Sequence, residues 1–345
     1  MEIRAARASE RDEVLDLLAH WYGDRNFFAR YNHHDPTFRD ELCLVADDAG
    51  RIVATAQIFD RRVNFAGQTV PMGGIGSVYT REDWRRRGAV SALMRLALDT
   101  LVREGFEVSL LFTDRLDFYA TFGWRPVNRT FTAVMGAEQA RASADPNAID
   151  IFVPARDLET VREIHAAYSG RRDACEIRDP ARWRANLIYA GNPREHFVVA
   201  RDRAGAAAAY ARAILMEGYP IVMEHGYRPD QSEAMIALVA HLGRIVAGAD
   251  LATAPERLGG EVLRSPDARG GGLLVMHSRH DPALEERLKS SGCHLMHHEE
   301  NHYMWRLIAA DRFAARFGIA PAEADERLFA MVGAPDALFW TADRF

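Results

Sequence analysis

Three consecutive arginines, Arg85, Arg86 and Arg87, stand directly before Gly88 and an amphipathic run, and residues of these types in this order can hold a phosphate. The run from Val90 to Val102 puts Leu93, Met94, Leu96, Ala97, Leu98 and Leu101 on one helical face. Ahead of the arginines, Ile75 to Thr80 reads as a strand, and behind the helix Phe106 to Thr113 reads as another. A strand, a basic glycine turn and a helix gather free backbone N–H groups, the positive end of a helix dipole and guanidiniums at one point. Gly88, Ala89, Val90 and Ser91 contribute N–H groups there rather than side-chain chemistry.

The run Arg85-x-x-Gly88-x-Val90 resembles the acyl-CoA pyrophosphate loop of the GNAT N-acetyltransferases. Likewise Tyr119-Ala-Thr-Phe122-Gly123-Trp124 is similar to the segment that follows their fifth strand. The family usually has Gly or Ala where this chain has Val90. The resemblance implies that the strand at Gly74 to Tyr79 bulges away from the strand at Phe106 to Thr113, with the pantetheine arm of acetyl-CoA between them. It further implies that the backbone amides of Val78, Tyr79 and Thr80 bind that arm, that Arg85, Arg86 and Arg87 surround the pyrophosphate, and that Tyr119 is the general acid for the departing thiolate. A primary amine has a pKa of about 10.4, so a base must take its proton. Many family members place a glutamate on the fourth strand, but Ile75, Ser77, Val78 and Tyr79 offer no carboxylate. The enhanced-intracellular-survival type of acetyltransferase resembles protein N-myristoyltransferases in using a C-terminal carboxylate, which implies Phe345 here. Asp343, on the same aromatic tail, is the rival.

The elements that must position these residues can be read in outline. Ile3 to Ala6 is a strand, Ser9 to Gly23 a helix, and the aromatic and histidine-rich stretch from Trp21 to Phe38 lines an acceptor cleft in the resembled family. Leu42 to Ala46 and Ile52 to Phe59 form a hairpin leading to the central strand, and Thr130 to Met135 closes the first half. The second half repeats the opening order, without an Arg-x-x-Gly loop between Tyr227 and the helix at Glu233. The expected fold is α/β (α+β): tandem GNAT folds, each a mixed, mostly antiparallel sheet flanked by helices, plus a short C-terminal extension. The expected division is a catalytic domain at 1–137, a linker at 138–149, a degenerate GNAT-like domain at 150–309 and an extension at 310–345 that packs on both.

A chain of 345 residues is long enough for two ordinary domains. Cys43, Cys175 and Cys293 lie far apart, so neither a disulfide framework nor a zinc ribbon is suggested. No apolar run approaches a membrane span, no signal-peptide core opens the chain, and a cytoplasmic location is expected. A net charge of −6 disfavours nonspecific nucleic-acid binding. In the cluster His294, His297, His298, Glu299, Glu300 and His302, His294 and His298 share one face of a strand while His297 points away, and no H-E-x-x-H helix is present, so no metal is expected. The reading is an acetyl-CoA-dependent N-acetyltransferase acting on a primary amine of a small molecule or an exposed lysine. The alternatives are a noncatalytic acyl-CoA sensor and an aminoacyl or long-chain acyltransferase on the same fold. Oligomeric state is not readable from the residues, although survival-type relatives form homo-oligomers.

Overall fold

The computed structural model describes residues 1–23, 25–141, 149–190, 195–216, 219–247 and 273–344. The first half contains strands β1 (Glu2–Ala5), β2 (Cys43–Asp48), β3 (Arg51–Phe65), β4 (Gln68–Thr80), β5 (Val108–Phe112) and β6 (Arg125–Met135). Its helices are α1 (Arg11–Tyr22), α2 (Arg25–His34), α3 (Ala89–Arg103) and α4 (Leu116–Ala120). The stretch after Gly23, to which the sequence pattern assigned no element, forms α2.

The second half runs β7 (Ile149–Ile151), α5 (Pro154–Tyr168), α6 (Pro180–Ala190), β8 (Glu195–Arg201), β9 (Ala207–Met216), β10 (Tyr219–Tyr227), α7 (Ser232–Ala247), β11 (Leu274–Met276), α8 (Pro282–Ser290) and β12 (His294–Leu307). It repeats the element order of the first half. A tail with α9 (Ala310–Phe317) and α10 (Ala324–Val332) follows. No helix among the described residues is long and apolar enough to cross a membrane.

All the strands belong to one sheet, ordered β1-β2-β3-β4-β5-β12-β6-β11-β10-β9-β8-β7. Neighbours are antiparallel except β4 with β5 and β10 with β11, the two pairs joined by a long crossover helix. The fold class is the expected one, a mixed and mostly antiparallel sheet flanked by helices. The sheet does not divide at the 138–149 segment, of which 142–148 lie outside the described residues. Instead the halves exchange their last strands: β12 lies between β5 and β6, and β6 lies beside β11.

Packing follows the pleat. Leu93, Met94, Ala97 and Leu101 of α3 bury against Leu44, Ala54, Ile58, Ile75 and Leu111 on one face. At Gly73 a Cβ would stand 2.0 Å from Leu101 Cδ2, so this position must stay bare for α3 to lie so close to β4. On the opposite face α1 and α2 cover β2 and β3 through Val14, Leu17, Leu18 and Phe28. The tail covers the middle of that face, where Phe313, Leu328, Met331 and Phe339 pack on Phe65, Val70, Val108 and Trp305.

A buried charge network ties the halves and the tail together. Arg178 donates from Nη2 to Glu224 Oε2 at 2.7 Å and from Nε to Asp343 Oδ1 at 2.7 Å. Tyr210 OH donates to Glu224 Oε1 at 2.8 Å, and Arg182 Nε to Glu176 Oε1 at 2.5 Å. Nearby, the rings of His225, His277 and His280 surround the fully buried Trp340 at centroid distances of 5.0, 5.8 and 5.5 Å. Tyr168 OH donates to Asp281 Oδ2 at 2.8 Å and lies 3.3 Å from Nε2 of both His225 and His280.

Burial holds His165 down to about 3 and His225 down to about 4, and holds His277 and His280 well below the ordinary imidazole value. These four are neutral in the fold, whereas in the unfolded chain they bind protons below about pH 6.5. Their contribution to stability is therefore complete above that pH and is lost as the pH falls toward the folded values. Asp343 runs the other way: burial pushes its carboxyl up to about 7. Four imidazoles against one carboxyl leave a net uptake of about three protons on unfolding, or on the order of 4 kcal/mol per pH unit at most. Urea unfolding at pH 7.5 and pH 5.5 is expected to show a markedly less stable protein at pH 5.5. Equal or greater stability at pH 5.5 would contradict the burial of neutral imidazoles.

Candidate functional site

The site arises where β4 leaves β5. The two strands pair in parallel from Met72 with Val108 to Ile75 with Leu111, and their pairing ends there. Against β3, Thr55 faces Tyr79 while Gln57 faces Gly76, so β4 carries an extra residue at Ser77 and Val78. Ser77 adopts φ 50°, a left-handed value at a bulge. The bulge turns the strand outward and opens a cleft of about 1180 Å³ between Ile75–Thr80 on one side and Leu111–Arg115 with Phe118 and Tyr119 on the other. Thr80 Oγ1 is buried in this wall with no hydrogen-bond partner.

One end of the cleft is the loop that enters α3. Arg86 at φ 65° and Gly88 at φ 81° are both left-handed, and the first helical bond is Ala92 N–H to Gly88 O at 3.0 Å. The N–H groups of Ala89, Val90 and Ser91 thus precede the helical ladder and point along the helix axis toward the cleft mouth. A side chain at Gly88 would be strained by its left-handed φ, as that of Arg86 already is, while Val90 is helical and rests its side chain on the α3 cluster. The branched residue therefore leaves the loop's N–H groups clear.

Arg85 and Arg86 line the cleft, as do Gly88, Ala89, Val90 and Ser91. Arg87 is the exception among the basic residues, because its guanidinium stacks 4.7 Å from the centroid of the Trp84 ring and is not part of the lining. Trp84 itself lines the cleft. Val78, Tyr79 and Thr80 lie on or beside the bulge and line the cleft.

At the other end, Tyr119 is largely buried on α4, with Phe118 edge-on at 5.0 Å and Trp124 edge-on at 6.5 Å. The backbone N–H groups of Phe122 and Trp124 both donate to Tyr119 O, which fixes the turn beneath the ring. The phenol and the α3 entrance therefore face one continuous cleft.

Phe345 lies outside the described residues. Its neighbour Arg344 has its guanidinium 5.2 Å from the Phe112 ring centroid, and Phe112 lines the cleft. Asp343 does not line the cleft, since its Oδ1 accepts from Arg178 Nε and from Asn186 Nδ2 in the buried network. Among the described lining residues, the carboxylate is Asp114. Sequence reasoning also passed over Trp84, Phe112, Thr113 and Phe118. These come from the turn before α3, the end of β5 and α4, and nothing local to them signals that they meet at an opening.

The second half has a counterpart to this parting, but it is filled. β10 and β11 pair only at Ile221 with Val275 and Val222 with Met276, with a register slip between Val222 and Glu224. Beyond it, Trp340 from the tail occupies the space between His225 and His277.

Residues 2–127 match the family model described as "Acetyltransferase (GNAT) domain". A protein from Streptomyces avermitilis, known as an uncharacterized N-acetyltransferase, is 28% identical over 177 residues, covering 48% of this chain and 42% of its own. The chain therefore spans less than half the length of that curated relative. Among solved structures, a GCN5-related N-acetyltransferase from Kribbella flavida superposes with TM-score 0.62 at 20% identity, covering 91% of this chain and 73% of that one. Eis1 from Mycobacterium abscessus does so with TM-score 0.60 at 17% identity, covering 92% and 76%. These likenesses show the fold.

The geometry of the α3 entrance makes a direct prediction. Gly88→Asp adds backbone strain at φ 81° and sets a carboxylate among N–H groups arranged for an anion. Calorimetry with coenzyme A is expected to show affinity reduced at least tenfold for a variant that retains the parental circular dichroism. Unchanged affinity in the folded variant would place the phosphates elsewhere.

Proposed function

With residues 2–127 a GNAT acetyltransferase domain, we propose that this protein is an N-acetyltransferase that moves the acetyl group of acetyl-CoA to a primary amine of a small molecule or an exposed lysine. The observation that carries the reading is the single cleft that joins the anion-binding start of α3 to Tyr119 through the opening between β4 and β5. Arg85, Arg86 and the N–H groups of Gly88 to Ser91 receive the pyrophosphate. The open edge of β4 at Val78, Tyr79 and Thr80 offers backbone groups to the pantetheine arm and to the thioester carbonyl.

The chemistry then needs two proton movements. The neutral amine attacks the thioester carbon, the carbonyl oxygen takes negative charge, and the carbon–sulfur bond breaks as the carbonyl re-forms. The amine nitrogen gives its proton to a base, for which Asp114 is the carboxylate along the cleft. The departing thiolate takes a proton from the Tyr119 hydroxyl, whose ring is held by Phe118 and Trp124. The products are the acetylated amine and free coenzyme A.

Free-thiol release from acetyl-CoA across a panel of amines tests the reading, and release that depends on the amine is expected. Tyr119→Phe keeps the packing and removes only the hydroxyl. Its kcat should fall by about 10² to 10⁴, with acetyl-CoA affinity nearly unchanged. Parental kcat in that variant would remove Tyr119 from the chemistry. No amine-dependent release with any acceptor would count against the enzyme reading.

A further inference from the structure

The far wall of the cleft carries information about the acyl group. Phe112 is the last residue of β5, and it points to the face opposite α3, where it packs with the tail cluster. Its neighbour Leu111 points the other way, into the α3 cluster. An arm that enters past the start of α3 and passes between β4 and β5 brings its thioester out on the face where Phe112 stands.

That ring is clamped on three sides. Tyr303, directly across on β12, meets it edge-on at 4.9 Å and 88°. Phe339 of the tail lies at 5.8 Å, and both it and Tyr303 are essentially fully buried. The Arg344 guanidinium sits 5.2 Å from the Phe112 centroid and donates from Nη2 to Tyr303 OH at 2.9 Å. Each of these neighbours is itself anchored by strand pairing, by the tail core or by that hydrogen bond. A rigid apolar wall in close-packed surroundings rejects added volume, since each extra methylene must displace fixed atoms.

We propose that Phe112, held by Tyr303, Phe339 and Arg344, is the residue that sets acyl-chain length, closing the cleft behind a two- or three-carbon acyl group and excluding longer chains. The proposal rests on the acyl-CoA reading of the cleft but concerns a different part of it. The anion site and Tyr119 determine whether a thioester is bound and used, and Phe112 determines which thioester.

The experiment compares acetyl-, butyryl- and hexanoyl-CoA on the full chain, for the parental protein, Phe112→Ala and Phe112→Leu. Two readouts are taken: Kd by calorimetry, and kcat/KM with an amine accepted from the acetyl-CoA panel. A parental preference for acetyl- over hexanoyl-CoA of roughly tenfold or more is expected, since hexanoyl is four methylenes longer and a single methylene in an apolar pocket commonly brings about tenfold. In Phe112→Ala the hexanoyl-to-acetyl ratio should rise by roughly tenfold or more, and in Phe112→Leu by less. Phe112→Leu keeps a large apolar side chain and serves where Phe112→Ala fails to fold. A parental protein that takes hexanoyl-CoA as well as acetyl-CoA overturns the proposal, as does an unchanged ratio in a folded variant. Calorimetry separates this failure from failure of the enzyme reading. Chain-length discrimination in Kd without turnover leaves the wall intact and removes the chemistry, whereas turnover without discrimination does the reverse.

Discussion

β4 holds β5 through pairs running only from Met72 to Ile75, and the behaviour of the cleft follows from the break after them. An open strand edge is ordinarily a liability, because its N–H and C=O groups need partners. Here the strand stays in place because β3 pairs with it on the other side from Phe65–Gln68 through Ala54–Thr80, and the slip at Ser77 and Val78 turns the open edge toward the cleft. β5 is steadied in the same way by β12, which pairs with it from Val108 to Phe112. Two strands that have released one another are each fixed by a different neighbour, so the opening is permanent and its backbone groups are available to a ligand.

The parts of the site that were legible in the sequence are those made by neighbouring residues. Arg85 to Ser91 form one turn and the start of one helix, and Tyr119 to Trp124 form another turn, so residue type and spacing carry most of their geometry. Which of three adjacent guanidiniums faces the cleft was not legible. That outcome depends on the left-handed turn at Arg86 and on the Trp84 ring that attracts Arg87. The helix α2 was missed because its aromatic and histidine residues lack a clean apolar period. The wall at Phe112 was also invisible, since its neighbours Tyr303, Phe339 and Arg344 come from about 190 residues or more further along the chain. Mixed-sheet class and the repeated element order were legible, because period-2 runs and crossover helices are local features. The exchange of β6 and β12 was not, since an alternating strand encodes which face is buried and not which strand lies beside it.

The repeat has been put to two uses. In the first half the parting of β4 and β5 is open, flanked by a helix start with two arginines. In the second half the parting of β10 and β11 receives Trp340 and three neutral imidazoles, while beside it Arg178 donates to both Glu224 and Asp343. A buried carboxylate or guanidinium is tolerable only when its partner is in place, so this network holds the tail in a single position. The second half thereby acts as the seat for a segment that reaches across to the cleft wall of the first.

The exchanged strands also govern the order in which the protein can be made. β6 emerges from synthesis with neither of its final neighbours, since β12 and β11 are encoded more than 130 residues later. β5 likewise waits for β12 to cover its second edge. The first half is therefore not a unit that can close on itself while the rest of the chain is still being added, even though it contains the α3 entrance and Tyr119. Pairings of such long sequence separation form late and slowly, with strand edges exposed in the interval. The segment that matches the acetyltransferase family model is continuous in sequence, but its sheet is completed by strands from the second half.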